Sequence, residues 1–387
     1  LHPIVEDYIA ACGQAGLPYN RDFNGAEQEG AGTYQMTIKG ARRNSAARAF
    51  LRPAMKRANL EVITRAMVKR VLIEDGRAVG VEYRRGGETV LLRCNAEVIL
   101  AGGAINSPQL LQLSGVGPGA VLQAAGIAVG VDNPNVGDHL NDHQGINYTW
   151  RMKVPTYNDI LRPWWGKLLV GAQYFLTGGG PLAKSINHGG GFFRTSPELE
   201  RPNMQLYMQA FSTLIPRDGE RPLLTPDPFS GLSIGLSNCR PTSRGRITIR
   251  SGDAFEHPKI VGNVYSTDND VEEMLAAVKF LRKIAAQPAF ARLVAEELRP
   301  GPSVTSDEDL IQDFRERSGT VYHPSCTCRM GVSAVDSVVD ARLRVRGIAG
   351  LRVIDASAFP NLIAGNTNAP AMMMGWKGAE MVLEDAR

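Results

Sequence analysis

The chain has 387 residues, 43% hydrophobic and 21% charged, which is globular composition with room for a sizeable core in two or three domains or one large one. Its 43 basic and 39 acidic residues leave a formal charge of +4, and no basic run or aromatic-interleaved basic patch appears, which sets nucleic acid aside as a partner. The longest apolar runs, such as residues 167–176, are too short to span a bilayer.

In chain order, residues 61–101 alternate apolar and polar positions, with turns at Asp75-Gly76 and Gly86-Gly87. This pattern predicts a β-meander. Its last strand, ending in Val98-Ile99-Leu100, loses the alternation and reads as buried on both faces. A helix is expected next, with Ser107 as N-cap, Pro108 in first position and Gly115 as the stop. A strand leading through Gly102 and Gly103 into a helix N-terminus can receive a phosphate or another electron-rich group.

The middle, about 145 to 265, changes texture. Met204, Leu206 and Met208 alternate with Gln205, Tyr207 and Gln209, and Ile247 and Ile249 alternate with Thr248 and Arg250. Both stretches are expected as half-buried strands of an antiparallel sheet. Val271, Met274, Leu275, Val278, Leu281 and Ile284 recur at helical spacing before Pro288, and a second short helix is expected between Ser306 and Gly319. A strand returns around Leu351–Val353, and a final helix follows with Pro370 near its start.

Several motifs have ordinary explanations. Gly231, Ser233 and Gly235 fit a nucleophile-elbow spacing, but no helix can follow through Arg240-Pro241, so a hydrolase is set aside. His139 and His143 stand four apart, as in a zinc helix. Leu140 replaces the glutamate of that pattern and Gly137 and Asn141 make a poor helix, so this reads as a structural loop. Cys326 and Cys328 lack a second pair at zinc spacing, and no metal site is expected. They read as small buried side chains, with a cysteine nucleophile beside His323 left open. The five cysteines, few and odd in number, favour a reducing compartment.

His323 gains weight from Asn366 and Asn368 before the last helix. An imidazole that accepts a hydroxyl proton and an amide that orients the oxygen leave the carbon-bound hydrogen to travel as hydride. Side chains offer no hydride acceptor, so a redox cofactor is implied.

At this point the chain resembles the glucose–methanol–choline oxidoreductases, flavin enzymes that oxidise alcohols. Gly102–Gly117 fits the family's second signature along its length, and Tyr322–Gly331, Leu351–Pro360 and Gly365–Gly375 fit its C-terminal block in order and spacing. The stretches at 22–25, 42–54 and 239–247 are weaker matches, and the likeness runs over nearly the whole chain. It implies a mixed α/β, FAD-binding fold: an FAD portion over 1–140, an antiparallel-sheet substrate domain over 141–318, and a returning FAD segment over 319–387.

By the same resemblance His323 stands as catalytic base and Asn366 as its partner. Val68, Gly102, Gly103, Asn106, Tyr322, Asp355, Ala356 and Asn368 stand at cofactor positions, and the final helix aims its N-terminus at the flavin. Cys326 stands where many members have glycine, as in choline dehydrogenases. The implied reaction is oxidation of a primary alcohol, choline or similar, with oxygen, a quinone or a carrier as electron acceptor. Cytoplasmic or peripheral-membrane placement is expected. The family's first G-x-G-x-x-G is not found and the first residue is Leu1, so the expectation is an incomplete dinucleotide-binding part that binds FAD weakly alone. The rival is an inactive remnant of such an enzyme.

Overall fold

Hydrophobic alternation builds one sheet and glycine turns build another, in separate parts of the chain. The structure is a computed structural model that describes residues 1–214 and 225–386. It divides into two compact units. One holds 1–56, 144–239 and 268–319, and the other holds 57–143, 240–267 and 320–387. This division crosses the chain more often than the three segments read from the sequence: residues 1–56 join the large sheet, and 240–267 join the unit that carries the C-terminal block.

In the first unit an antiparallel sheet runs in the order Gly30–Thr33, Gly189–Phe193, Met204–Gln209, Gly231–Asn238, Gln144–Met152, Val294–Arg299. Its side chains Ile146, Trp150, Leu206, Met208, Ile234 and Leu236 are buried, and helix Asp268–Ala285 packs on this sheet. Among the opposite residues Tyr207 and Gln209 are half-buried as expected, but Gln205 and Ser237 are buried. Gln205 and Ser237 are each 1% exposed. They are tolerated because they satisfy one another. Tyr207 Oη donates to Gln205 Oε1 at 2.7 Å and lies 3.0 Å from Ser237 Oγ, and Thr149 Oγ1 lies 3.0 Å from Ser233 Oγ. Ser233 is therefore a mid-strand residue with an occupied hydroxyl, not a nucleophile. A cavity of about 300 Å³ opens on this polar side, lined by Asn147, Thr149, Gln209, Ser233, Arg299 and Arg317 among others.

The second unit contains the meander, Met67–Glu74, Arg77–Arg85 and Glu88–Arg93. Both expected turns are present, with positive φ at Asp75, Gly76, Gly86 and Gly87. Val98–Leu100 leaves the meander and pairs in parallel with Leu351–Val353. Ile99 is 43% exposed, so this strand is not buried on both faces as expected; among the described residues it has one partner strand. Arg246–Thr248 also departs from expectation. It pairs with Lys259–Val261 in a hairpin of the second unit and is not part of the large sheet. The fully buried Gln112 holds this hairpin by donating to Ile247 O at 2.9 Å and accepting from Ile249 N at 2.8 Å.

The helix after Val98–Leu100 begins at Gly103 and ends at Leu113, five residues ahead of the expected start. The expectation failed because a distant group caps it. Asp355 Oδ2 accepts from Gly103 N–H at 2.9 Å and from Ser107 Oγ. Pro108 thus lies inside the helix, where it cannot donate to the carbonyl of residue 104. Thr327 Oγ1 donates to Ala104 O at 2.7 Å and fills that vacancy. The helices Asp268–Ala285, Asp307–Arg317, capped by Ser306, and Asn368–Asp385 appear where periodicity placed them.

Candidate active site

His323 is positioned by two extended segments lying side by side within the second unit. Residues 137–143 and 321–327 exchange backbone bonds: Ser325 N–H to Asn141 O, Asn141 N–H to Ser325 O, Val321 N–H to His143 O, and Gly137 N–H to Thr327 O. The second segment is held in turn by residues 356–358, whose carbonyls accept from Cys326, Cys328 and Met330. This register puts His143 against His323.

The two rings meet edge to face, with Nδ1 to Nδ1 at 2.9 Å. A contact between two such nitrogens holds one proton. Asn366 Nδ2 lies 3.3 Å from His323 Nε2. All three groups are satisfied when the shared proton sits on His323 Nδ1, which leaves Nε2 as an acceptor. Asp142 Oδ1 accepts from His323 N–H at 3.0 Å, and its other oxygen accepts from the Thr320 hydroxyl. Burial raises the Asp142 carboxyl above its ordinary range despite these bonds.

Burial pulls the His323 pKa down to about 4. The ring is then neutral at physiological pH and able to take a proton. Protonation removes that ability, so loss of function comes on the acid side. We expect the rate constant for an alcohol-dependent half-reaction to stay level from neutral pH to about 5 and to fall about tenfold per unit below about 4. A pH profile with its inflection at about 6.5, the ordinary imidazole value, would contradict this.

His143 was set aside in the sequence with His139 as part of a structural loop. The signal that could have raised it is the Asp142-His143 pair, but its partner lies 180 residues away. His143 is fully buried. As acceptor for Nδ1–H it fixes the tautomer, and it would steady an imidazolium if Nε2 takes a proton. A hydrogen bond to a charged group contributes about 1.5–3 kcal/mol, so His143→Leu should slow proton abstraction about 10–100-fold. The tautomer supplies a second readout: ¹⁵N spectra should show loss of the Nδ1-protonated form of His323.

The remaining positions fall as follows. Tyr322 is 85% exposed, with φ 65°. Asn366, Asn368, Gly102 and Asn106 are exposed, and Val68 and Ala356 half-buried. The N–H groups of Gly102 and Gly103 are taken by Ser107 Oγ and Asp355 Oδ2. What these glycines offer a ligand is bare backbone: a Cβ on Gly103 would meet nothing within 4 Å. Both oxygens of Asp355 are engaged internally, by Gly103 and Ser107 on one side and Ser357 on the other. The helix Asn368–Asp385 has no side-chain cap at its N-terminus, two residues beyond Asn366.

Cys326 and Cys328 are buried free thiols whose pKa values burial pushes up, so neither is a nucleophile for His323. Cys326 adopts φ 72°, a conformation that favours glycine and that matches the glycine of many family members at this place. Among the described residues no cluster of histidine, cysteine and carboxylate side chains could hold a metal ion.

Comparison with known proteins places the chain in a family. The GMC oxidoreductase family models match residues 1–145 and 241–375. The chain is 40% identical to an alcohol dehydrogenase [acceptor] of Pseudomonas putida, over 99% of this chain and 69% of the relative. It is 39% identical to an oxygen-dependent choline dehydrogenase of P. putida, over 98% and 67%. Among solved structures, the formate oxidase of Aspergillus oryzae RIB40 superposes with a TM-score of 0.90 at 26% identity, over 99% of this chain and 70% of that one. Two family matches over both ends of the chain, and relatives aligned along its length, show that it belongs to the GMC oxidoreductases.

Proposed function

We propose that the protein carrying this chain oxidises a primary alcohol to an aldehyde with FAD, and that His323 is the base. The observation that carries the reading is the half-buried, neutral His323 with Nε2 facing Asn366 and Nδ1 backed by His143. His323 Nε2 takes the hydroxyl proton, Asn366 holds the oxygen, and the carbon-bound hydrogen leaves as hydride. FAD, when bound, supplies the hydride acceptor.

The cofactor is supported by the family and by the FAD named for the formate oxidase. The residues present fit it. The uncapped positive end of an 18-residue helix lies beside His323 and suits a group that gains negative charge. Gly102 and Gly103 allow close approach, with Asn106, Val68, Ala356 and Asn368 as further contacts, Tyr322 beside it, and Asp355 shaping the strand end.

The alcohol is of the kind named for the relatives, an alcohol or choline. The test is anaerobic absorption spectroscopy of the purified protein. Flavin bands bleached by a primary alcohol, with choline among those tried, are expected. Protein without flavin bands that gains none on adding FAD, or bands no alcohol bleaches, would favour the inactive remnant.

A further inference from the structure

Helix Trp164–Thr177, in the first unit, inverts the rule that a surface helix turns its apolar stripe inward. Its buried positions are only Gly166 and Val170. Its outward positions are Trp164, Trp165, Leu168, Leu169, Phe175 and Leu176, which are 76, 54, 63, 61, 82 and 85% exposed. At about 100° per residue these six share an outward arc of about 140°. Leu182, 55% exposed, follows in the next turn. A contiguous apolar surface of this kind marks a docking site.

The charge around it is one-sided. Tyr174 Oη donates to Ala41 O at 3.1 Å, so the 39–56 segment meets the C-terminal half of the helix. That segment carries Lys39, Arg42, Arg43, Arg48, Arg52 and Lys56 and no acidic residue. It also exposes Phe50, Leu51 and Met55. The helix and its approach add Arg162 and Lys167, against a single acid, Asp159, whose carboxylate accepts from Thr156 N–H.

We propose that this face docks in the plane of an anionic phospholipid bilayer. The tryptophans sit at headgroup level, the leucines and Phe175 reach the acyl boundary, and the basic segment meets the lipid phosphates. Among the described residues no helix is long and apolar enough to cross a membrane. Charge selects lipid over a second copy of the chain: a two-fold contact through this face would bring Arg42 and Arg43 of both copies together.

The experiment is co-sedimentation of the purified protein with phosphatidylglycerol/phosphatidylcholine vesicles and with phosphatidylcholine alone. Binding to the anionic vesicles, weakened by salt, is expected. A blue shift of tryptophan emission and quenching by brominated acyl chains should accompany it. Leu168→Gln/Leu169→Gln and Arg42→Glu/Arg43→Glu should each weaken partitioning about tenfold or more. These side chains are exposed, so the fold should survive, and quenching of the unaltered protein tests the idea without any variant. Failure to bind anionic vesicles, or binding that neither variant weakens, would overturn it. So would a lipid-free dimer that the leucine variant dissociates, which would assign the face to a second copy.

Discussion

His323→Ala should slow alcohol-driven flavin reduction by about 10²–10⁴-fold, the span expected when a positioned general base is lost. No neighbour can take its place. His143 is fully buried and reaches His323 from the Nδ1 side, away from Asn366. Cys326 is a buried thiol with a raised pKa, and Asp142 is turned to the backbone of His323 and to Thr320. Flavin content should change little, since no proposed cofactor contact depends on the ring of His323. Stopped-flow reduction under anaerobic conditions is the measurement. A variant that reduces its flavin at the rate of the unaltered protein would remove His323 from the chemistry.

Local order was legible in the sequence where it rests on local rules. The meander followed from alternation and paired glycine turns, and the helix at 268–285 from its spacing. His323 and Asn366 were found because each lies in a short motif, but their 3.3 Å approach joins residues 43 apart. What failed had its cause far along the chain. Ser107 looks like an N-cap by every local sign. The cap is supplied instead by Asp355, 252 residues away from Gly103, and Ser107 turns its hydroxyl to that same carboxylate. Ile247 alternates like a strand of the large sheet, yet Gln112 holds it in another unit. His143 carries no local mark separating a relay partner from a loop histidine. Burial of Gln205 and Ser237 on the polar side of the large sheet was hidden too, because alternation reports which residues share a face and not how far each meets water.

Asp355→Ala should cost the second unit about 3–5 kcal/mol, because one carboxylate ties together the elements that carry the site. Its Oδ2 accepts from Gly103 N–H and Ser107 Oγ, and its Oδ1 from the N–H and hydroxyl of Ser357. Ser107 and Ser357 are fully buried, so truncation strands hydroxyl donors that water cannot reach, at about 1–3 kcal/mol each. The damage also travels. Residues 356–358 accept the backbone bonds of Cys326, Cys328 and Met330, and Thr327 closes the carbonyl that Pro108 leaves open in the glycine-led helix. Loosening Asp355 therefore loosens the segment that aims His323, and activity should fall along with stability. Ser107→Ala, which removes one of these donors, should cost less, about 1–3 kcal/mol. Urea unfolding measures the first effect, and hydrogen exchange over residues 103–113 and 326–330 locates it, with faster exchange expected there than in the large sheet. Unchanged exchange in those two segments, with an unchanged urea midpoint, would mean that the parallel strands Val98–Leu100 and Leu351–Val353 hold the site without the carboxylate.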